Sequence, residues 1–139
     1  MTKWCCWHTI SKENIERFVP SKAGVYYLRV AVNGKPKIIQ RFWRKDNRGT
    51  LYYGESGDLW QRLTNCWRGL NNPKKNSAHA AANYYNQYYR RKGIKWFERG
   101  QIEFSFIICK NKKAAQKKEK NERIWHYKYF LDLPPLNTV

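Results

Sequence analysis

Three separated segments of the chain carry residue types that suit one reaction. Gly24-Val25-Tyr26 opens a β-rich stretch, and Tyr52-Tyr53-Gly54 ends another, followed by Ser56, Asp58, Leu59 and Arg62. A third segment bears Glu119 and Glu122 and finishes at Pro134-Pro135-Leu136-Asn137. Hydrolysing a phosphodiester needs an activated water, a cation on the phosphoryl oxygens and stabilisation of the leaving 3′ oxygen. One carboxylate is enough to hold a Mg²⁺ that keeps most of its waters, because Mg²⁺ usually takes only one or two protein carboxylates. Arg62 adds a planar, permanently charged donor fork for phosphate. Glu119 and Glu122 lie three apart and share a helix face. On a run as basic as Lys117-Lys118-Glu119-Lys120, the plain alternative for either acid is a solvated surface pair.

The rest of the chain fits a polyanionic partner. Its 139 residues carry 28 Lys and Arg against 10 Asp and Glu, a formal net charge of +18. Such a charge is self-repulsive, and phosphates that release counterions on binding would relieve it. With 42% hydrophobic and 17% aromatic residues, the chain is too apolar for a disordered basic tail. No apolar run approaches the ~20 residues that span a bilayer, and Met1–Trp7 lacks the pattern of a signal peptide. The expectation is one intracellular, cytoplasmic domain over residues 1–139, with nucleic acid rather than membrane as partner. Cys5, Cys6, Cys66 and Cys109 show no C-x-x-C spacing and read as reduced structural thiols.

The elements that must position these residues can be read from pattern. Ser11 caps a short helix to Arg17 or Phe18, closed by Pro20. Val25–Val32 is a strand, Asn33-Gly34 a type I′ turn, and Ile38–Trp43 the returning strand. Asp46–Gly49 is a turn, and Thr50–Tyr53 a short strand running into Gly54. Asp58 caps a helix with Leu59, Arg62, Leu63, Cys66 and Trp67 at helical spacing. Gly69–Ser77 reads as a loop, and Ser77 as the cap of a helix over Ala78–Lys92 stopped by Gly93. Ile102, Phe104, Phe106 and Ile108 alternate as a strand, and Lys112 to about Leu131 forms a last helix before Pro134-Pro135. The fold class is α+β: a small, mostly antiparallel sheet flanked by helices, with an inserted β-hairpin.

The order Gly24-Val25-Tyr26, then Tyr52-Tyr53-Gly54, then Arg62 eight residues after Gly54, then a helical Glu and Asn137, resembles the GIY-YIG nuclease family. The resemblance spans roughly Pro20 to Asn137. It implies a metal-dependent DNA endonuclease using Mg²⁺, for which Mn²⁺ can substitute. It implies that Tyr26 acts near the attacking water as general base, and that Tyr52 assists at the phosphate. A free tyrosine has a pKa of about 10, so that base role needs nearby cations to favour phenolate. Gly24 and Gly54 are the motif glycines, and Asn137 secures the structure around the acid. Glu122, 15 residues before Asn137, suits the family spacing better than Glu119, 18 before it, so Glu122 is the expected metal ligand and Glu119 the alternative. Two departures bear on activation of the nucleophile: Glu55 stands where the family often has Lys, and Cys66 where it often has His or Tyr. His79, Arg44 or Lys45 could substitute, although His79 reads first as a capping or packing residue. The stretch from Tyr26 to Tyr52 exceeds the family minimum, making Ile38–Trp43 an added strand or an extension.

Recognition would then come from insertions within the nuclease core, as in a small restriction-type or phage enzyme. Arg41, Arg44, Lys45 and Arg48 on the inserted hairpin, and Asn83, Gln87, Arg90 and Arg91 on the helix after Ser77, are the expected DNA contacts. Double-stranded DNA is the favoured substrate, cut by a homodimer or by successive nicks. The alternative from another class is a non-catalytic, basic DNA- or RNA-binding protein on the same fold.

Overall fold

A computed structural model describes residues 6–40, 44–72, 79–87 and 98–137. Its centre is β2 (Gly24–Val32), hydrogen-bonded antiparallel to β6 (Thr50–Ser56) on one side and β7 (Ile102–Ile108) on the other. β1 (His8–Thr9) extends the sheet beyond β7, and β3 (Lys35–Pro36) pairs with the end of β2. The turn between β2 and β3 has Asn33 at φ 52° and Gly34 at φ 75°, the two positive values that a type I′ turn requires.

Helices cover both faces of this sheet. α1 (Lys12–Phe18) begins where Ser11 Oγ accepts from Asn14 N at 3.2 Å, and α2 (Leu59–Asn71) where Asp58 Oδ1 accepts from Gln61 N at 3.1 Å. Leu59, Leu63, Cys66 and Leu70 of α2 pack with Tyr26, Leu28, Val30 and Tyr52 in the main core. α3 (Ala80–Tyr84) adds Ala81 and Ala82 to the same core. α4 (Lys112–Phe130), capped by Asn111, lies along β6 and β2, and ends where Leu131 turns left-handed at φ 57°. The chain is therefore an α+β protein with a mostly antiparallel sheet between helices. Among the described residues, no helix is long and apolar enough to cross a membrane.

Three boundaries differ from the sequence reading. The strand expected over Ile38–Trp43 is not the return of β2, because Lys35–Pro36 takes that place directly after the tight turn. Ile39–Gln40 (β4) pairs instead with Lys45–Asp46 (β5) as a separate small sheet; positions 41–43 lie outside the described residues. Helix α2 runs through Gly69 to Asn71, because its apolar face continues to Leu70, which is buried in the core. The helix expected from Ser77 is described only from Ala80, with a π-helical turn over 85–87.

The hairpin is tied to α4 by buried polar groups. Asp46, fully buried, accepts from Arg48 N at 2.8 Å and Thr50 N at 3.1 Å, and its carboxylate lies 3.7 Å from His126 Nε2. Burial works to raise the Asp46 pKa, but the nearby His126 ring and the hydrogen bonds from Arg48 N and Thr50 N outweigh it and hold the carboxyl below its ordinary value. An unfolded Asp titrates near 3.9, so Asp46 contributes its stability in full above roughly pH 5. That contribution is lost as the pH falls through the lower, folded value. Thermal melts between pH 6 and pH 2 should therefore show an acid-dependent fall in melting temperature. Asp46→Asn should remove that part of the fall while costing about 1–3 kcal/mol at neutral pH.

Candidate active site

The two motif strands lie side by side, and their glycines explain how. In the antiparallel register Tyr26 faces Gly54 and Leu28 faces Tyr52. A Cβ on Gly54 would sit 2.2 Å from Tyr26 Cζ, so the Tyr26 ring lies flat over a position that only hydrogen can occupy. A Cβ on Gly24 would meet the Ile107 carbonyl oxygen at 2.4 Å and Leu59 at 2.6 Å, so this glycine lets β7 and the head of α2 close on the strand. Because side chains alternate along a strand, Tyr26 and Tyr52 share the α2 face while Tyr27 and Tyr53 share the α4 face. Tyr52, rather than Tyr53, is thus the second motif tyrosine that joins Tyr26, at 5.9 Å between ring centroids.

Arg62, one turn into α2, hydrogen-bonds the Tyr26 hydroxyl. A guanidinium can only donate, so the Tyr26 oxygen accepts this bond. His79 closes the cluster from the head of α3, its Nε2 2.6 Å from the Tyr26 oxygen. Burial, with Arg62 adding to it, lowers the His79 pKa to about 3, so the ring is neutral at physiological pH. In the tautomer protonated at Nδ1, its Nε2 accepts the Tyr26 proton. Tyr26 itself is 0% exposed. Burial is the largest influence on its hydroxyl and pushes the pKa well above 10, with Tyr52 and Cys66 adding to the rise and Arg62 only opposing it. Arg62 alone does not favour a Tyr26 phenolate, because desolvation outweighs it.

His79 was the least expected member. The bond to Tyr26 bridges 53 positions of sequence, and no local spacing signals it. It stands beside Tyr26 where the resemblance led to a search one turn beyond Arg62. Cys66 occupies that place but is buried, and burial pushes its thiol up to about 12, leaving it a packing residue.

Arg62 also lines an open cleft of about 360 Å³ with Glu55, Ser56, Gln61, Asn65 and Lys112. Two cations, two amides, a hydroxyl and one carboxylate make a polar cleft suited to a phosphate with an oxygen-bound cation. The two candidate acids part company here. The Glu119 charge acts on Tyr52 and Glu55, whereas the Glu122 charge acts on Tyr53 on the α4 side of the sheet. Glu122 is buried against the α4 face and is not brought to Tyr26 and Arg62. Burial raises the Glu119 pKa, with Glu55 adding to the rise and Arg123, 2.6 Å away, opposing it.

Among the described residues, no group of three or more His, Cys, Asp or Glu side chains could hold a metal. Glu55, in the cleft, nevertheless fits Mg²⁺ or Mn²⁺, and the Glu119 charge acts on it. Both are hard oxygen donors of like charge, and Glu55 Oε2 is buried with no hydrogen-bond partner. A divalent ion completed by waters would satisfy that oxygen.

Asn137 clamps β6 from outside the sheet: its Oδ1 accepts from Tyr53 N and its Nδ2 donates to Tyr53 O, both at 2.9 Å. It secures the second motif strand rather than the acid. Of the expected DNA contacts, Arg44 and Lys45 are exposed. Arg48 is turned inward instead, donating to Tyr53 Oη at 3.0 Å with its guanidinium against Tyr27 and Trp125. Asn83 is half-buried and Gln87 exposed, while Arg41, Arg90 and Arg91 lie outside the described residues. Compared with known proteins, the chain matches no family model and no curated protein or solved structure.

Proposed function

We propose that the chain is a metal-dependent endonuclease of GIY-YIG type that hydrolyses phosphodiester bonds in DNA. One observation carries the reading: Arg62 joins the buried Tyr26–His79 pair to an open polar cleft that also holds Glu55 and Lys112. Arg62 and Lys112 hold the phosphoryl oxygens, and Gln61 and Asn65 supply further polar groups at the cleft wall. Glu55 and Glu119 hold the divalent cation, which supplies a Lewis acid and a water of lowered pKa. Attack of water breaks one P–O bond, so one proton must leave the nucleophile and one must reach the leaving 3′ oxygen. Tyr26 stays a neutral hydroxyl whose contacts with Arg62 and the neutral His79 hold the guanidinium at the cleft. The nucleophile's proton leaves to solvent through the open cleft, and a water there protonates the 3′ oxygen. Glu119, not Glu122, is the acid whose loss should abolish metal-dependent cleavage.

A non-catalytic nucleic-acid-binding protein is the second reading, favoured by the complete burial of Tyr26. Plasmid nicking separates the two. Supercoiled DNA should be converted to nicked and linear forms with Mg²⁺ or Mn²⁺, and left intact with chelator. Intact single- and double-stranded DNA under every metal condition would refute the nuclease reading and leave the binder.

A further inference from the structure

Helix α4 begins at the candidate cleft, where Lys112 forms part of the lining, and ends against the β4–β5 hairpin. Between these points one side of the helix is a lysine stripe. Lys113, Lys117 and Lys120 follow at i, i+4 and i+3 spacing, and Lys128 lies eight residues further on along the same side. All four are exposed, whereas both acids of α4 are turned away from this side, Glu122 buried and Glu119 paired with Arg123. At 1.5 Å per residue the stripe is about 22 Å long. Like charges at these spacings destabilise an isolated helix, and a line of phosphates would offset that cost.

Near the far end of the stripe, about 100° round the helix from Lys128, lies a stacking surface. The Tyr129 ring is stacked on Trp125 at 5.2 Å, and the Arg44 guanidinium lies over the Tyr129 ring at 4.3 Å. Arg48 sits between Trp125 and Tyr27, continuing the column into the α4–sheet interface. Arg44 is exposed and held flat by Tyr129, so its outer plane is a ready surface for an unpaired base.

We infer that α4 carries a second nucleic-acid surface, binding a single strand with its phosphates on Lys113, Lys117, Lys120 and Lys128 and, where the strand turns round the end of the helix, a base stacked on the Arg44–Tyr129 platform. The inference rests on the proposed nucleic-acid partner but not on cleavage, so in chelator it stands or falls whatever the nicking assay returns. The probe is a fluorescein-labelled 15-nucleotide oligo-dT, with a blunt duplex of equal length as comparison, measured by anisotropy between low and moderate salt.

Each neutralised phosphate of a single strand contributes about 0.7 to the log–log salt slope. A variant with all four lysines changed to Gln should therefore lose about 3 from it. Arg44→Ala should bind oligo-dT about tenfold more weakly, a larger loss than it shows for the duplex, because only an unpaired base can stack on the platform. With the like charges removed, the four-Gln variant should melt no lower than the parent, which excludes unfolding as the cause. An unchanged slope, an Arg44→Ala variant that binds oligo-dT like the parent, or a lower melting temperature overturns the inference. So does loss of binding to phosphatidylserine vesicles with oligo-dT binding intact, which would assign the stripe to a membrane surface.

Discussion

Replacing Arg62 with Ala is expected to slow metal-dependent cleavage about 10²–10³-fold, the usual cost of removing one preorganised charge from a transition state. DNA affinity should change less than tenfold, because Arg62 is one of 28 basic residues and binding sums over many phosphates. Arg62→Lys should not rescue the rate. The guanidinium holds the Tyr26 oxygen and presents charge to the cleft at once, and a single ammonium is a point donor that cannot do both. Measuring single-turnover cleavage alongside binding separates the two roles. Cleavage by Arg62→Ala within tenfold of the parent would place the chemistry elsewhere, and equal losses in binding and rate would make Arg62 an ordinary phosphate contact.

The largest effect on stability is expected at Gly24. A methyl group there meets the Ile107 carbonyl oxygen at 2.4 Å and the Leu59 side chain at 2.6 Å. The carbonyl belongs to β7, which is paired with β2 from Gly24 to Val30 and has no room to withdraw. Overpacking of this kind costs typically about 1–3 kcal/mol, and Gly24→Ala should fall at or above the top of that range in denaturant melts. Gly54→Ala makes a useful contrast, because its new methyl meets the side chain of Tyr26 and not backbone. Adding Tyr26→Ala to Gly54→Ala should restore part of the stability lost by the single variant, giving a coupling of the two sites. No such relief should exist for Gly24→Ala. Equal stability of Gly24→Ala and the parent would mean that the sheet is looser than described.

These two glycines also show what the sequence made legible. The motif strands, the eight-residue step from Gly54 to Arg62 and the caps at Ser11 and Asp58 are local features, and each took its expected place. The α4-side acids were harder. Glu119 and Glu122 are one turn apart on a helix so rich in Lys that its buried stripe is hard to read, and their distance from Asn137 favours Glu122, whose charge acts on Tyr53 and not on Tyr52. His79 could be named from the sequence as a possible substitute, but its place beside Tyr26 depends on a contact across 53 positions that no local pattern signals. Arg48 looked like a surface cation among others, but a ring on each side and the Tyr53 hydroxyl make burial favourable. The hairpin register failed for a plain reason: β4 and β5 contribute two residues each, too few for an alternating pattern.

One contact has a further effect on how the protein behaves at high concentration. Among the described residues β6 pairs with no strand but β2, so its outer N–H and C=O groups are a template for strand addition from another molecule. Leu136 N donates to the Leu51 carbonyl at 2.9 Å and Asn137 occupies the Tyr53 groups with its own amide, so these two residues imitate a short neighbouring strand. The same amide that steadies the second motif therefore acts as a guard against edge-to-edge aggregation. Self-repulsion among +18 charges adds to this guard, and a nucleic-acid partner that neutralises the charge would leave Asn137 to protect the edge.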